Sequence, residues 1–212
     1  MTALAGRPTG LRSGDARTEA TTVIGVLITL PDPVAAQLAR WRDRFVHPAL
    51  PGVPAHITLL PPTLVASDRL PMIERHLRRT VSGCGPFEVH LRGSGTFRPV
   101  SPVTFVQVAA GIGPCEQLES RIRTGPLFRP LPFPFHPHVT VAQNVEASVL
   151  ERVDTDLARF DARFHARRVD LYQADSGECP AWSVRTCFAL RDTTPSRDTI
   201  PLRDAIRGQL AD

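Results

Sequence analysis

PAHITLL (54–60) and HPHVTVA (136–142) carry the same short pattern, His56-Ile57-Thr58 and His138-Val139-Thr140. The two histidines are 82 positions apart (138 − 56), and the likeness extends beyond the triplets. Shifted by that one offset without gaps, TVIGVLITL (22–30) falls on TFVQVAAGI (104–112), and the helical stretch after Pro31 falls on the one after Gly113. The chain reads as two copies of a strand–helix–strand unit, each ending on His-x-Thr. Residues i and i+2 of a strand project to one face. Each copy therefore sets an imidazole beside a hydroxyl, and pseudo-symmetric packing makes the two pairs face each other.

Outward from the repeat, the segments read as α+β with mostly antiparallel strands. Residues 22–30 form a β-branched run of a buried strand. Asp32-Pro33 opens a helix with Val34, Leu38, Trp41 and Phe45 on one face. Strand 55–60 follows, and Pro61-Pro62 is expected to stop it. Ser67 or Asp68 can cap a helix with Leu70, Ile73 and Leu77 inward. Residues 86–112 read as a hairpin. Cys115, Leu118 and Ile122 mark a short helix, and GPLFRPLPFPFHP (125–137) leads into strand 138–142. Leu150, Val153, Leu157 and Phe160 line a further helix. Closing strands are expected at about 163–173 and 182–190, with Trp182, Val184, Thr186, Phe188 and Leu190 on one face.

Residues 1–20 lack an apolar run and read as a disordered leader. Residues 21–190 form the two-lobed domain, and 191–212 a tail with a short helix starting near Thr199. No stretch approaches the ~18 apolar residues that span a bilayer, so a cytoplasmic location is expected. The chain has 212 residues and 21 prolines, many of them clustered at 48–62 and 126–137 by the two His-x-Thr strands. All 25 basic residues are arginine. Without lysine there is no Walker-A phosphate loop, no pyridoxal Schiff base and no ligase working through a lysyl-nucleotide. The net charge of +4 suits a phosphate-bearing substrate but is too diffuse to mark a nucleic-acid binder by itself. The four cysteines show neither C-x-x-C nor zinc spacing. No metal and no cofactor is expected, and a monomer is.

In-line cleavage of a phosphodiester needs an attacking and a leaving oxygen on opposite sides of phosphorus. Two histidines on opposite walls meet that need, one taking a proton from water and the other protonating the departing oxygen. Thr58 and Thr140 can donate to the non-bridging oxygens. His56 and His138 are the candidate catalytic pair. His136 shares the face of His138 and either lines the cleft or belongs to the loop exit. Phe133 and Phe135 either stack a base or plug the proline-rich loop. Trp182 reads as core, and a metal site at His56, His136 and His138 lacks a carboxylate partner.

The two H-[IV]-T-[LV] motifs, the segment GSGTFRPVSPVTFVQV (93–108) and FHPHVTVA (135–142) resemble the two-histidine phosphoesterase superfamily, in its bacterial 2′-5′ RNA ligase-like branch. The resemblance covers roughly residues 21–190. It implies a bilobal fold of duplicated β-α-β units whose sheets face across a central cleft. It also implies a cyclic phosphodiesterase that opens 2′,3′-cyclic phosphate ends to 2′-phosphates, with reversible 2′-5′ ligation that uses no ATP. By the same resemblance His56 protonates the leaving oxygen and His138 activates water. Relatives often carry an arginine where this chain has Gln143, so either Arg98, Arg129 or another arginine meets the phosphate, or the substrate preference differs. The substrate-binding set is then Thr58, Thr140, Arg98 and Phe135, and the partner is an RNA end or a small cyclic nucleotide. Two rival readings stand beside it: a nucleotide- or RNA-binding module with little turnover, and an ADP-ribose cyclic phosphate hydrolase.

Overall fold

The computed structural model describes residues 20–45, 53–175 and 181–191; the expected leader and tail helix lie outside them, as do the side chain of Phe45 and all of His47 and Cys179. The first half of the chain supplies β1 (Thr21–Thr29), α1 (Asp32–Phe45), β2 (His56–Ala66), α2 (Leu70–Val81) and β3 (Phe87–Thr96). The second supplies β4 (Val103–Ala110), α3 (Ile112–Ile122), β5 (His138–Gln143), α4 (Ala147–Leu157), β6 (Asp161–Ala166), β7 (Arg168–Ala174) and β8 (Trp182–Ala189).

The strands form two four-stranded sheets, ordered β2-β1-β7-β8 and β5-β4-β3-β6. Every pairing in them is antiparallel. The two curled sheets face each other across a central cleft. Each half lends strands to the other: β3 pairs with β4, and β7 pairs with β1. The first helix of each half also crosses over, α1 packing against β5 and α3 against β2. The lobes are therefore interlocked, and neither histidine strand is supported by its own half alone.

The helical faces read from the sequence are the buried ones: Val34 and Leu38, then Leu70, Ile73 and Leu77, Cys115, Leu118 and Ile122, and Leu150, Val153 and Leu157. They join Ile24, Val26, Ile57, Leu59, Val139 and Val141 in one main core. At the start of α3 the chain adopts φ of 90° at Gly111. A Cβ there would lie 2.7 Å from the Glu88 carbonyl, so only glycine fits the turn that joins β4 to this helix.

Four expectations are corrected. First, β2 continues through Pro61-Pro62 to Ala66, with a register shift between the pairs Ile24–Thr63 and Val26–Leu60. As the outermost strand of its sheet it has a free edge, and a bulge lets it carry prolines that lack an N–H. Second, the expected strand 163–173 is two strands in different sheets, with only Arg167 between β6 and β7. Third, β8 does not keep one face. Its partners step from Leu171–Thr186 to Tyr172–Val184, and a one-residue slip turns later side chains over. Phe188 and Leu190 consequently enter the main core, whereas Trp182 joins a second cluster with Leu27, Val53, Tyr172 and Ala174. Fourth, the repeat is not gapless. Thr29 pairs with His56 and Gln107 with His138, so the first strands correspond at an offset of 78 (107 − 29). The difference of four is even, and the inward face is preserved.

Candidate active site

His56 opens β2 and His138 opens β5, each strand at the edge of its sheet. Ile57 and Leu59, like Val139 and Val141, point into the main core. Their burial turns His56, Thr58, His138 and Thr140 to the opposite face.

The duplication extends to the hydrogen bonds. His56 Nδ1 donates to the Pro54 carbonyl at 2.7 Å, and His138 Nδ1 to the His136 carbonyl at 2.7 Å. A carbonyl only accepts, so each Nδ1 carries its hydrogen and each Nε2 is left to take or give a proton. Pro54 and His136 are themselves 82 positions apart. Burial lowers His56 to about 4, the Pro54 carbonyl opposes the shift, and the charges of Arg42 and His138 add to it. The two imidazoles therefore sit within electrostatic reach of one another. His138 is also lowered from 6.5 by burial, against the favourable His136 carbonyl and with the His136 ring adding to the lowering. Burial thus favours the neutral form of both histidines at neutral pH.

Their surroundings differ. Phe97 stands edge-on to His138 at 4.8 Å between ring centroids, and Phe105 lies at 5.1 Å. These two phenyl rings are 4.4 Å apart, and His136 approaches them at 5.8 and 5.6 Å. Phe105 faces Thr140 across the strands, and Gln107 faces His138. On the other lobe the corresponding neighbours are Leu27, opposite Thr58, and Thr29, opposite His56. The Arg42 guanidinium hydrogen-bonds the Val53 carbonyl at 3.4 Å, at the base of the loop that delivers His56.

The remaining expected residues divide. Arg98 pairs with Glu151 of α4 at 3.3 Å. Phe135 packs against the main core rather than among the rings around His138, and Phe133 is exposed. Arg129 donates to the Thr63 hydroxyl at 2.9 Å, near the far end of β2. His136 is in the ring group. Phe97, Phe105, Gln107 and Arg42 were missed by sequence reasoning. The first three become visible only once the β3–β4–β5 register is known; Arg42 had no signal beyond its charge. Among the described residues no cluster of three or more His, Cys, Asp or Glu is placed to hold a metal ion.

The family model of the 2′-5′ RNA ligase superfamily matches residues 30–178. The chain belongs to that superfamily. Its relatives carry the provisional name phosphoesterase. One from Halalkalibacterium halodurans is 28% identical over 172 residues, spanning 78% of this chain and 96% of its own. One from Bacillus licheniformis is 28% identical over 171 residues, spanning 77% and 96%. Among solved structures, E. coli LigT complexed with NADP+ shares the fold at a TM-score of 0.63 and 20% identity, over 82% of this chain and all of that one. Its complex with 3′-AMP gives 0.59 at 19% identity, over 82% and 100%. This superfamily member is a phosphoesterase with the bilobal fold of LigT. Among its described residues, no helix is long and apolar enough to cross a membrane.

Proposed function

We propose that this chain is a metal-independent phosphodiesterase that opens the 2′,3′-cyclic phosphate of an RNA end or a small nucleotide. The observation that carries the reading is the pair of duplicated histidines, each with Nδ1 tied to a carbonyl two residues upstream. The E. coli LigT structures complexed with 3′-AMP, ATP and NADP+ support a nucleotide as the substrate class.

In this mechanism water attacks phosphorus, the bond to the 3′ oxygen breaks, and a 2′-phosphate remains. One Nε2 takes the proton of the water and the other gives its proton to the 3′ oxygen. Thr58 and Thr140 hydroxyls donate to the non-bridging oxygens as charge moves onto them. With a 5′ hydroxyl in place of water, the same attack on the 2′,3′-cyclic phosphate forms the bond to the 5′ oxygen, breaks the bond to the 3′ oxygen and leaves a 2′-5′ linkage. One ester is exchanged for another, without ATP and therefore reversibly. The surroundings favour His56 as the base, because the Arg42 cation opposes its protonation. His138, against whose protonation no arginine charge acts, is then the acid. This exchanges the roles implied by family resemblance.

Hydrolysis of a 2′,3′-cyclic mononucleotide with EDTA present is the test. Full turnover under chelation supports the reading. Binding without turnover moves the chain to the class of nucleotide-binding modules, and loss of activity restored by a divalent ion rejects paired-histidine catalysis.

A further inference from the structure

The wall beside His138 contains more than acid–base catalysis requires. Gln107 is exposed on the cleft face, directly across the strand pair from His138. Its side chain is not free to turn, because Nε2 donates to the Ser94 carbonyl. Ser94 is itself anchored through its hydroxyl, which donates to the Asp154 carbonyl of α4 at 2.8 Å. Because a carbonyl only accepts, the bond to Ser94 fixes which end of the amide faces the strand. One N–H of the amino group is taken by the Ser94 carbonyl, which orients the amide and makes Oε1 its acceptor toward a ligand.

The glycine at 95 makes this arrangement possible. A Cβ there would come within 2.8 Å of the Phe105 ring and 3.4 Å of Gln107 Cγ. Without it, the Phe105 ring lies over the β3 backbone and Gln107 runs beside it. Phe105 is buried as a floor, Phe97 is half-buried at its side, and the His136 ring is exposed at the rim. The exposed His136 ring stands at 81° to the half-buried Phe97 ring, so the two make a corner in which a planar group can stack on one ring and meet the edge of the other, and base–aromatic stacking tolerates any base. Selectivity has to come from a polar group at the edge. Among the described residues nothing equivalent stands beside His56, where Leu27 and Thr29 occupy the matching positions.

We propose that Phe97, Phe105 and His136 seat the nucleobase of the substrate and that Gln107 Oε1 selects bases presenting an exocyclic amino group. This rests on the nucleotide reading above and adds base selectivity to it. Cytosine and uracil are the cleanest contrast: they have the same ring size, but cytosine offers the N4 amino donor where uracil offers an acceptor oxygen. Two acceptors facing each other gain no hydrogen bond, so uracil is disfavoured. Adenine, with its N6 amino group, falls on the favoured side.

The experiment compares cytidine and uridine 2′,3′-cyclic phosphates as substrates, and cytidine and uridine 2′-phosphates as ligands by calorimetry, in the wild-type protein and in Gln107→Met. A single hydrogen bond at a solvent-exposed site predicts a cytidine preference of roughly threefold to tenfold in kcat/KM and in Kd. In Gln107→Met both ratios should collapse toward one. A wild-type ratio near one, or a ratio that persists in Gln107→Met, overturns the assignment. If neither cyclic nucleotide is turned over, the proposed reaction fails on its own, while the Kd ratio still decides whether Gln107 reads the base.

Discussion

The two histidines are copies in backbone and strangers in environment. His56 and His138 begin corresponding edge strands, and each ties Nδ1 to a carbonyl two residues before it at the same 2.7 Å. Beyond the His-x-Thr strands themselves, the described neighbours differ. His56 has an arginine at charge range, with Leu27 and Thr29 across the strand; His138 has two phenyl rings, a second imidazole and a glutamine. Backbone symmetry thus provides two imidazoles with the same nitrogen left open, and in the proposed mechanism the asymmetric neighbours give them different tasks. An exchange of protons between two oxygens needs both properties.

The largest effects should break the comparison at the histidines themselves. His56→Ala and His138→Ala should each lower kcat on a cyclic nucleotide by roughly 10²-fold or more with the fold retained by circular dichroism. A nitrophenyl phosphodiester, whose leaving group needs no proton, should restore His138→Ala far more than His56→Ala. The reverse pattern exchanges the roles, and near-normal turnover in either variant removes the paired mechanism. Thr58→Ala and Thr140→Ala should cost less, roughly tenfold each, because each deletes one hydrogen-bond donor among several. Steady-state kinetics on the same substrate measures this.

Smaller changes sharpen the contrast. One histidine must be neutral and the other protonated, and burial lowers both, His56 to about 4 and His138 by an amount that keeps it under 6.5. The kcat/KM profile should therefore peak below pH 6.5, rising through the His56 pKa and falling through that of His138. Arg42→Gln removes a charge that opposes protonation of His56. The acid limb should move to higher pH while the alkaline limb stays in place. Equal movement of both limbs would mean that Arg42 does not act on His56 alone.

A further effect concerns stability rather than turnover. His56 has a folded-state pKa of about 4 against 6.5 in the unfolded chain, so the unfolded state binds more protons between those values. Stability should be lost as pH falls from about 6.5 to about 4 and be insensitive to this group above that window. His56→Asn should flatten the dependence relative to wild type, read from urea midpoints at pH 7 and pH 4.5. An unchanged slope would show that His56 titrates normally in the fold.

Much of this was legible in the chain. The repeat, the strand faces of His-x-Thr and the helical stripes Leu70/Ile73/Leu77 and Leu150/Val153/Leu157 follow from side-chain period, which is a local property. The readings that failed were those in which a distant partner overrides local pattern. Pro61-Pro62 look like a stop until β2 is seen to be an edge strand. Residues 163–173 contain no breaker, yet the chain changes sheets at Arg167 because β3 and β1 each need a neighbour. The slip opposite Leu171–Tyr172 that separates Trp182 from Phe188 likewise exists only in the pairing.

The site divides along the same line. The sequence by itself determined the two histidines, the two threonines and the duplicated strands that present them, because those depend on spacing within one strand. It could not place Phe97 and Phe105 at His138, send Phe135 into the core, or put Arg42 at His56. Those contacts join residues brought together by strand register and by α1 and α3 crossing between lobes. Only the tertiary structure chose them, since register and helix packing are decided by burial summed over the whole core, to which no single segment holds the key.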